Sequence, residues 1–161
     1  MSNKSPRIAA RIASMTGRSL DPHYLTFFNC FNDSLFFEAH DVLEALWLRE
    51  GKAAPNYAFY KGLIQLAGAF VHLQKSRLGP AVALFNLAES NLKRYPTLHA
   101  SVDLSPVLEL IVRWRLRIVG ANFRQNPLVL GELPKLEPPV EDPKKRGAFA
   151  DAIGTRGRLI S

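Results

Sequence analysis

The sequence predicts an all-α protein: a single-domain compact bundle of about five helices with an extended proline-rich C-terminal tail. Through the central region, apolar residues recur every three or four positions, which is the spacing of helices that bury one face. No run of alternating apolar and polar residues predicts a strand. A chain of 161 residues, 47% of them apolar and 22% charged, can bury a substantial core as one domain. Short loops between successive helices favour antiparallel neighbours, and therefore a bundle.

Capping and helix-breaking residues set the expected limits of these helices. Asp21 and Pro22 are typical of the N-cap and the first position of the first helix. Ser34 is expected to cap the second helix, and Gly51 is expected to end it. The other three helices are expected over about residues 57–75, 80–94 and 106–122.

Composition divides the chain into a basic N-terminal arm (residues 1–20), the helical bundle (21–126) and the tail (127–161). Repeated prolines forbid long helices in the tail, whose leucines suit an extended segment lying across the bundle. Much of the net charge of +7 lies in the arm, where four cations precede the first acidic residue: Lys4, Arg7, Arg11 and Arg18. We expect the arm to be solvated and frayed. An acidic or nucleic-acid partner of the arm is the alternative.

Neither a membrane-spanning protein nor a secreted protein is expected from this sequence. The longest apolar stretches are interrupted by His, Gln or Arg before the ~18 residues that a membrane span requires. No charged-then-apolar signal-peptide pattern opens the chain. The single cysteine, Cys30, rules out an internal disulfide, so we expect a cytoplasmic location. A homo-oligomer is compatible with the same composition.

Ionisable residues interrupt the apolar pattern of the second helix. They are Glu38, His40, Asp41 and Glu44, and Trp47 follows them one turn later. His40 and Glu44 are four positions apart and therefore neighbours on one face, whereas Glu38 projects away from that face. Charged and imidazole groups on an apolar face are costly unless each finds a partner. The pattern therefore indicates either a site or a hydrogen-bond network.

The third helix carries a matching row of residues. Lys61, Gln65, Gly68 and His72 recur at intervals of four, three and four positions. Glycine in this row leaves room for the close approach of another helix. We expect the second and third helices to pack face to face, with a polar seam beside Trp47 formed by His40, Glu44, Gln65 and His72.

Three interpretations of this polar seam stay open. It can be a satisfied hydrogen-bond network that sets the helix register. It can bind a divalent metal such as Zn, Fe or Mn through His40, Glu44 and His72. It can be a metal-free pocket, with Glu44 or Asp41 as general base and His72 or His40 as acid. Paired Glu-x-x-His motifs, a zincin motif, a nucleophile elbow and a phosphate loop are all absent from the sequence.

Three stretches of the chain together resemble the domain of unknown function 309 family. They are Phe31-Asn32 with residues 36–44 (FFEAHDVLE) and Trp47, residues 62–67 (GLIQLA) with His72-Leu73, and residues 79–81 (GPA). The resemblance covers about residues 24–96 and departs at Asp33-Ser34, where the family usually has a glycine. It implies a compact all-α fold of small bacterial, archaeal and plastid-related proteins, without an established activity. The motif residues that it carries over are Glu38, His40, Glu44, Trp47, Gln65 and His72.

From the residues and the resemblance together, we expect a small-ligand or divalent-metal-binding pocket between the second and third helices, with hydrolase-like chemistry as its candidate activity. The alternative is a non-catalytic module, in which the polar seam is structural. In that case exposed aromatic residues, the basic arm and the tail bind another protein or RNA.

Overall fold

A computed structural model describes residues 6–141, and over this range it confirms the all-α class. The described helices are α1 (Pro6–Ser14), α2 (Pro22–Asn32), α3 (Phe36–Glu50), α4 (Tyr57–Gln74), α5 (Leu78–Leu92) and α6 (Leu104–Gly120). A short antiparallel hairpin of β1 (Leu98–His99) and β2 (Val102–Asp103) connects α5 to α6, and a 3-10 helix spans Pro127–Leu130. The two-residue strands are too short to leave an alternating pattern in the sequence.

Helix α4 is at the centre of the bundle. Helices α3 and α5 both pack along it, α2 packs on α3, and α6 packs on α5. Most side chains of α4 are buried, because this helix is apolar on nearly every face.

The ring of Phe70 on α4 joins four other helices in the core. It lies 5.5 Å from the ring of Phe31 on α2 and 5.1 Å from that of Phe36 on α3. It lies 5.3 Å from Phe85 on α5 and 4.9 Å from Trp114 on α6. All five side chains are 0% or 1% exposed. Edge-to-face and stacked pairs at these distances add to the stabilisation from burial, so this cluster fixes the relative positions of α2 to α6.

Two glycines let the neighbouring helices approach α4 closely. A Cβ atom at Gly62 would lie 2.8 Å from Cγ of Leu92 and 3.3 Å from the carbonyl oxygen of Ala88, both on α5. A Cβ atom at Gly68 would lie 3.2 Å from Leu84 on α5 and 3.9 Å from Cδ2 of His40 on α3. Gly68 therefore lies where α3 and α5 converge on α4.

The observed helix ends agree with the predicted ones where the capping residue lies directly beside the helix. The side chain of Asp21 accepts a hydrogen bond from the backbone N–H of His23 and begins α2, and Gly51, at φ 83°, ends α3. Asp103 caps α6 by accepting from Ser105 N. Helix α5 begins two residues before Pro80, since proline is tolerated in a first turn.

The prediction that Ser34 caps α3 is wrong. Ser34 has φ 61° and ends α2 instead, because its N–H donates to Phe31 O and the N–H of Leu35 donates to Cys30 O. This pair of bonds is the Schellman arrangement at a helix C-terminus. Helix α3 then begins at Phe36 without a side-chain cap.

The described part of the basic arm is ordered against the bundle, contrary to the expectation of a frayed terminus. Residues Pro6–Ser14 form α1, and Ile8 is 1% exposed. Arg11 donates to Asn29 Oδ1 and to Asp33 Oδ2 on the α2 side. Burial of an apolar residue and pairing of the cation together hold α1 in place. Lys4 lies outside the described residues.

The described part of the tail is held to the bundle at several points. The amide of Asn32 both accepts from the N–H of Leu136 and donates to its carbonyl oxygen, at 2.7 Å each, and Leu136 is buried. Further along, Glu141 pairs with Arg18 at 2.6 Å. Leu130 and Leu133, which the sequence analysis expected to lie on the bundle, are more than half exposed. The tail after Glu141 lies outside the described residues.

Among the helices of residues 6–141, none is both long enough and apolar enough to span a membrane.

We expect Gly62→Ala to lower the free energy of unfolding by about 1–3 kcal/mol, because the new methyl group forces Leu92 and the α5 backbone away from α4. Gly79→Ala is the matched control: a Cβ at Gly79 meets nothing within 4 Å, so alanine there is expected to be neutral or stabilising by up to ~1 kcal/mol. Urea denaturation of both variants measures the difference. Equal stabilities for the two variants would contradict the close approach of α5 to α4.

Candidate functional site

Three of the predicted residues come together on α3. His40, Asp41 and Glu44 each offer a ligand atom, and these atoms all lie within 4.8 Å of one another. Their positions i, i+1 and i+4 on one helix bring them to adjoining parts of its surface. All three side chains are partly buried, and Nδ1 of His40 lies 3.9 Å from Oδ1 of Asp41. We call His40, Asp41 and Glu44 the α3 triad.

Packing holds the imidazole of His40 against the neighbouring helix. Its Cδ2 atom faces the missing side chain of Gly68, and its ring lies nearly parallel to that of Phe37, at 8° and 6.3 Å between centroids. The Nδ1 atom of His40 is buried and has no hydrogen-bond partner among the residues that the structure describes. A buried polar atom without a partner is uncommon in folded proteins.

Trp47 lies beyond one end of the triad on α3, and it packs on α4. Its ring stacks on that of Tyr57 at 5.0 Å, and Nζ of Lys61 lies 5.7 Å from the Trp47 ring centre. A cation over an indole face is attracted by the ring quadrupole. Lys61 therefore faces α3 as expected, but its contact is the Trp47 ring.

Gln65 takes a different partner from the one expected. Its Oε1 accepts a hydrogen bond from Nδ2 of Asn91 at 2.8 Å, so this side chain links α4 to α5. Within residues 6–141 it has no hydrogen bond to His40 or Glu44. The row of Lys61, Gln65, Gly68 and His72 on α4 therefore lies between α3 and α5. Asn91 was not predicted as a partner, because nothing in the sequence near it indicates a contact with Gln65.

His72 lies apart from the α3 triad. No ligand atom of His72 joins the group formed by the triad within the described residues. Its Nδ1 is buried without a hydrogen-bond partner in that range. Burial, together with the nearby cations Arg77 and Lys75, lowers the pKa of His72 below its ordinary value of 6.5. His72 therefore favours the neutral imidazole.

The remaining candidates are placed away from the triad. Glu38 lies 3.8 Å from Nη2 of Arg7, on the side of α1, which agrees with its expected direction. Cys30 is fully buried, and burial raises the pKa of its thiol to about 11. A thiol that stays protonated at neutral pH is a poor nucleophile.

The α3 triad has the donors of a metal site and of acid–base chemistry. One imidazole nitrogen and two carboxylate groups can share a divalent cation. The same groups can transfer protons to a bound molecule. Asp41, which the sequence analysis considered as a base rather than a ligand, is therefore part of the donor group, and the metal-ligand role of all three residues stays a prediction.

We expect double-mutant cycles to show that Gln65 couples to Asn91 and not to His40. The free energies of unfolding of Gln65→Ala, Asn91→Ala and the double variant should give a coupling of about 0.5–1.5 kcal/mol, the usual contribution of one hydrogen bond. The cycle of Gln65→Ala with His40→Ala serves as the control, and its coupling should be near zero. A larger coupling to His40 than to Asn91 would contradict this structure and support the polar seam as predicted from the sequence.

We also expect His72 to make the protein less stable in mild acid. Because its folded-state pKa is lowered, the unfolded chain binds the proton first, and stability falls as the pH drops from the unfolded pKa through the folded one. Denaturation of the wild type and His72→Gln between about pH 8 and about pH 5 measures this, and the variant should lose less stability over that range. Parallel curves for the two proteins would show that His72 is not held neutral by the fold.

Comparison with known proteins agrees with the resemblance seen in the sequence. Residues 24–92 match the model of a family described as Domain of unknown function (DUF309). The matched range contains most of α2 and all of α3, α4 and α5, and therefore the complete α3 triad with Trp47, Gln65 and His72. No curated protein and no solved structure matches the chain. Over residues 24–92, the chain is therefore similar to the domain of unknown function 309 family.

Proposed function

We propose that the α3 triad binds a divalent metal ion. The observation that supports this most directly is the convergence of one imidazole and two carboxylates, whose ligand atoms lie within 4.8 Å of one another on a single helix. A rigid helix holds such donors with little loss of side-chain freedom on binding. Small movements of the side chains then suffice to bring the donors to coordination distance.

The environment of His40 is a second support for the proposal. Its buried Nδ1 has no hydrogen-bond partner in the described residues, and Gly68 and Phe37 restrain its ring. The Asp41 carboxylate lies near Nδ1 but beyond hydrogen-bond distance, at 3.9 Å. A cation shared by these groups would give the buried nitrogen a partner. It would also offset the repulsion between the two neighbouring carboxylates.

The donor types restrict the choice of metal. A mixed set of one nitrogen and two oxygens suits Zn, Fe or Mn, whereas Ca²⁺ and Mg²⁺ prefer oxygen ligands alone. Three protein ligands leave coordination positions for water or a substrate, as in catalytic zinc sites. A metal-bound water is a nucleophile at neutral pH, so hydrolysis is the reaction class that we propose for this site.

The non-catalytic alternative keeps the same residues as a structural network. Its supports are the Gln65–Asn91 hydrogen bond and the stacking of Trp47 on Tyr57, which hold α4 to its neighbours without a ligand. Binding of RNA by the basic arm has less support, because Arg7, Arg11 and Arg18 each pair with a carboxylate of the bundle or tail. We retain a cytoplasmic location, in a bacterium by the family resemblance, because Cys30 is a buried free thiol rather than half of a disulfide.

The decisive experiment is titration calorimetry of untagged, chelator-treated protein with Zn²⁺, Mn²⁺ and Mg²⁺. We expect one Zn²⁺ or Mn²⁺ ion to bind per chain and Mg²⁺ to bind much more weakly. His40→Gln and Glu44→Gln should each weaken binding by more than about tenfold. Loss of a residue that only hydrogen-bonds to a metal ligand already weakens binding by about that factor, and loss of a ligand should cost more. Circular dichroism confirms that each variant is folded.

Two further variants serve as controls in this titration. Glu38→Gln removes a carboxylate from the same helix that pairs with Arg7, and His72→Gln removes the histidine that lies outside the triad. Both should bind the metal as the wild type does. Saturable binding that survives His40→Gln and Glu44→Gln, or its complete absence from the wild type, would contradict the proposed site.

A further inference from the structure

The outward face of α6 carries a row of apolar residues that we call the α6 stripe: Leu108, Val112, Leu116 and Val119. Their spacing of four, four and three positions places them along one side of the helix. Leu116 is 61% exposed and Val119 is 45% exposed, whereas Leu108 and Val112 are half-buried. The opposite side of α6, with Trp114 and Ile118, already fills the core. The stripe is therefore a second apolar face of an amphipathic helix.

A groove between α5 and α6 runs beside the stripe. Its volume is about 700 Å³. Glu89 of α5 and Lys93, directly after α5, form one wall, while Leu108, Val112 and Leu116 lie on the other side. A smaller cavity of about 290 Å³ shares Leu116 with it and extends to Leu130. Together they follow much of the 17-residue α6, which is about 25 Å long. Contiguous exposed apolar surface of this kind marks an interaction site.

On both sides of the groove, two cations share one carboxylate. On the α5 wall, Glu89 pairs with Lys93 at 3.2 Å and with Arg115 at 2.7 Å. On the outer flank, Arg113 and Arg117 share a single carboxylate, that of Glu132. Glu109, on the same flank, has no ion-pair partner among residues 6–141. This flank therefore offers one unpaired carboxylate and one excess cation, separated by one or two helical turns.

We propose that the α6 stripe is a two-fold interface between two copies of this chain, with their α6 helices packed antiparallel. Val112 is four residues from both Leu108 and Leu116, so an axis at Val112 places Leu108 opposite the partner's Leu116. In an isologous interface each such contact occurs twice. The stripe of one copy then fills the groove of the other. The two have the same length, because both run along α6.

The same axis brings the outer flanks of the two copies together. It places Glu109 midway between the partner's Arg113 and the partner's Arg117, each about 3 Å along the helix from the facing position. The unpaired carboxylate of one copy meets the excess cation of the other on both sides of the axis. Such complementarity fixes orientation and excludes other registers. A second copy supplies the apolar row and both charges at once, and this match favours it as the occupant of the groove.

The interface lies away from the α3 triad and does not depend on it. The triad is on α3 against α4, whereas the stripe and its groove involve α5, α6 and the 3-10 segment. Failure of metal binding therefore leaves this proposal unchanged, and the two are tested separately.

A charge-swap experiment tests the interface with the full-length chain. Glu109→Arg replaces the unpaired carboxylate of the flank with a cation, and Arg113→Glu with Arg117→Glu replaces both of its cations with carboxylates. Sedimentation analysis from about 1 µM to about 100 µM covers the affinities of weak dimers. We expect the wild type to dimerise, each swapped variant alone to associate at least about tenfold more weakly, and an equimolar mixture of the two variants to form a heterodimer.

Substitutions of two exposed leucines complete the test. Leu116→Glu buries a charge at the proposed contact and should abolish dimerisation, whereas Leu48→Glu replaces an equally exposed leucine on α3 and should leave it unchanged. Circular dichroism establishes that every variant is folded. A wild type that stays monomeric at all concentrations, or swapped variants that dimerise alone and do not prefer each other, would overturn the proposal.

Discussion

Helices α3 and α5 both approach the same helix, α4, closely, and this packing positions the other parts of the bundle. Gly62 and Gly68 remove side chains where the neighbours come nearest, and Phe70 fills the space between five helices with one ring. The position of His40 follows from this, because its imidazole lies over the missing side chain of Gly68. A Cβ atom there would be tight against Leu84 at 3.2 Å and in ordinary contact with His40 at 3.9 Å, so the geometry of the α3 triad is linked to core packing.

The sequence predicted those parts of the structure that local chemistry determines. Asp21 and Gly51 set helix limits because a cap acts within a few residues of the helix end. The neighbouring positions of His40 and Glu44 also follow from the helical repeat alone. Ser34 shows where this reasoning fails, since a short polar residue between two helices can cap the second or end the first. Only the packing of α2 against α3 decides between them.

The partner of Gln65 could not be predicted for a related reason. The row Lys61, Gln65, Gly68 and His72 was recognised, but its orientation depends on how α4 is rotated between α3 and α5. That rotation is set by long-range contacts such as Gly62 against Leu92. Once it is set, Gln65 faces Asn91, and the expected two-helix seam divides. The α3 triad remains on one side and the α4–α5 hydrogen bond lies on the other.

The most direct test of the central claim is a crystal structure of the untagged protein soaked with Mn²⁺ or Zn²⁺ and measured at the absorption edge of the metal. We expect an anomalous difference peak on α3, within about 2.0–2.3 Å of donor atoms from His40, Asp41 and Glu44. The same structure shows whether the imidazole remains packed against Gly68 when the metal is bound. A metal coordinated by other residues, or a well-ordered α3 triad without a peak, would contradict the account.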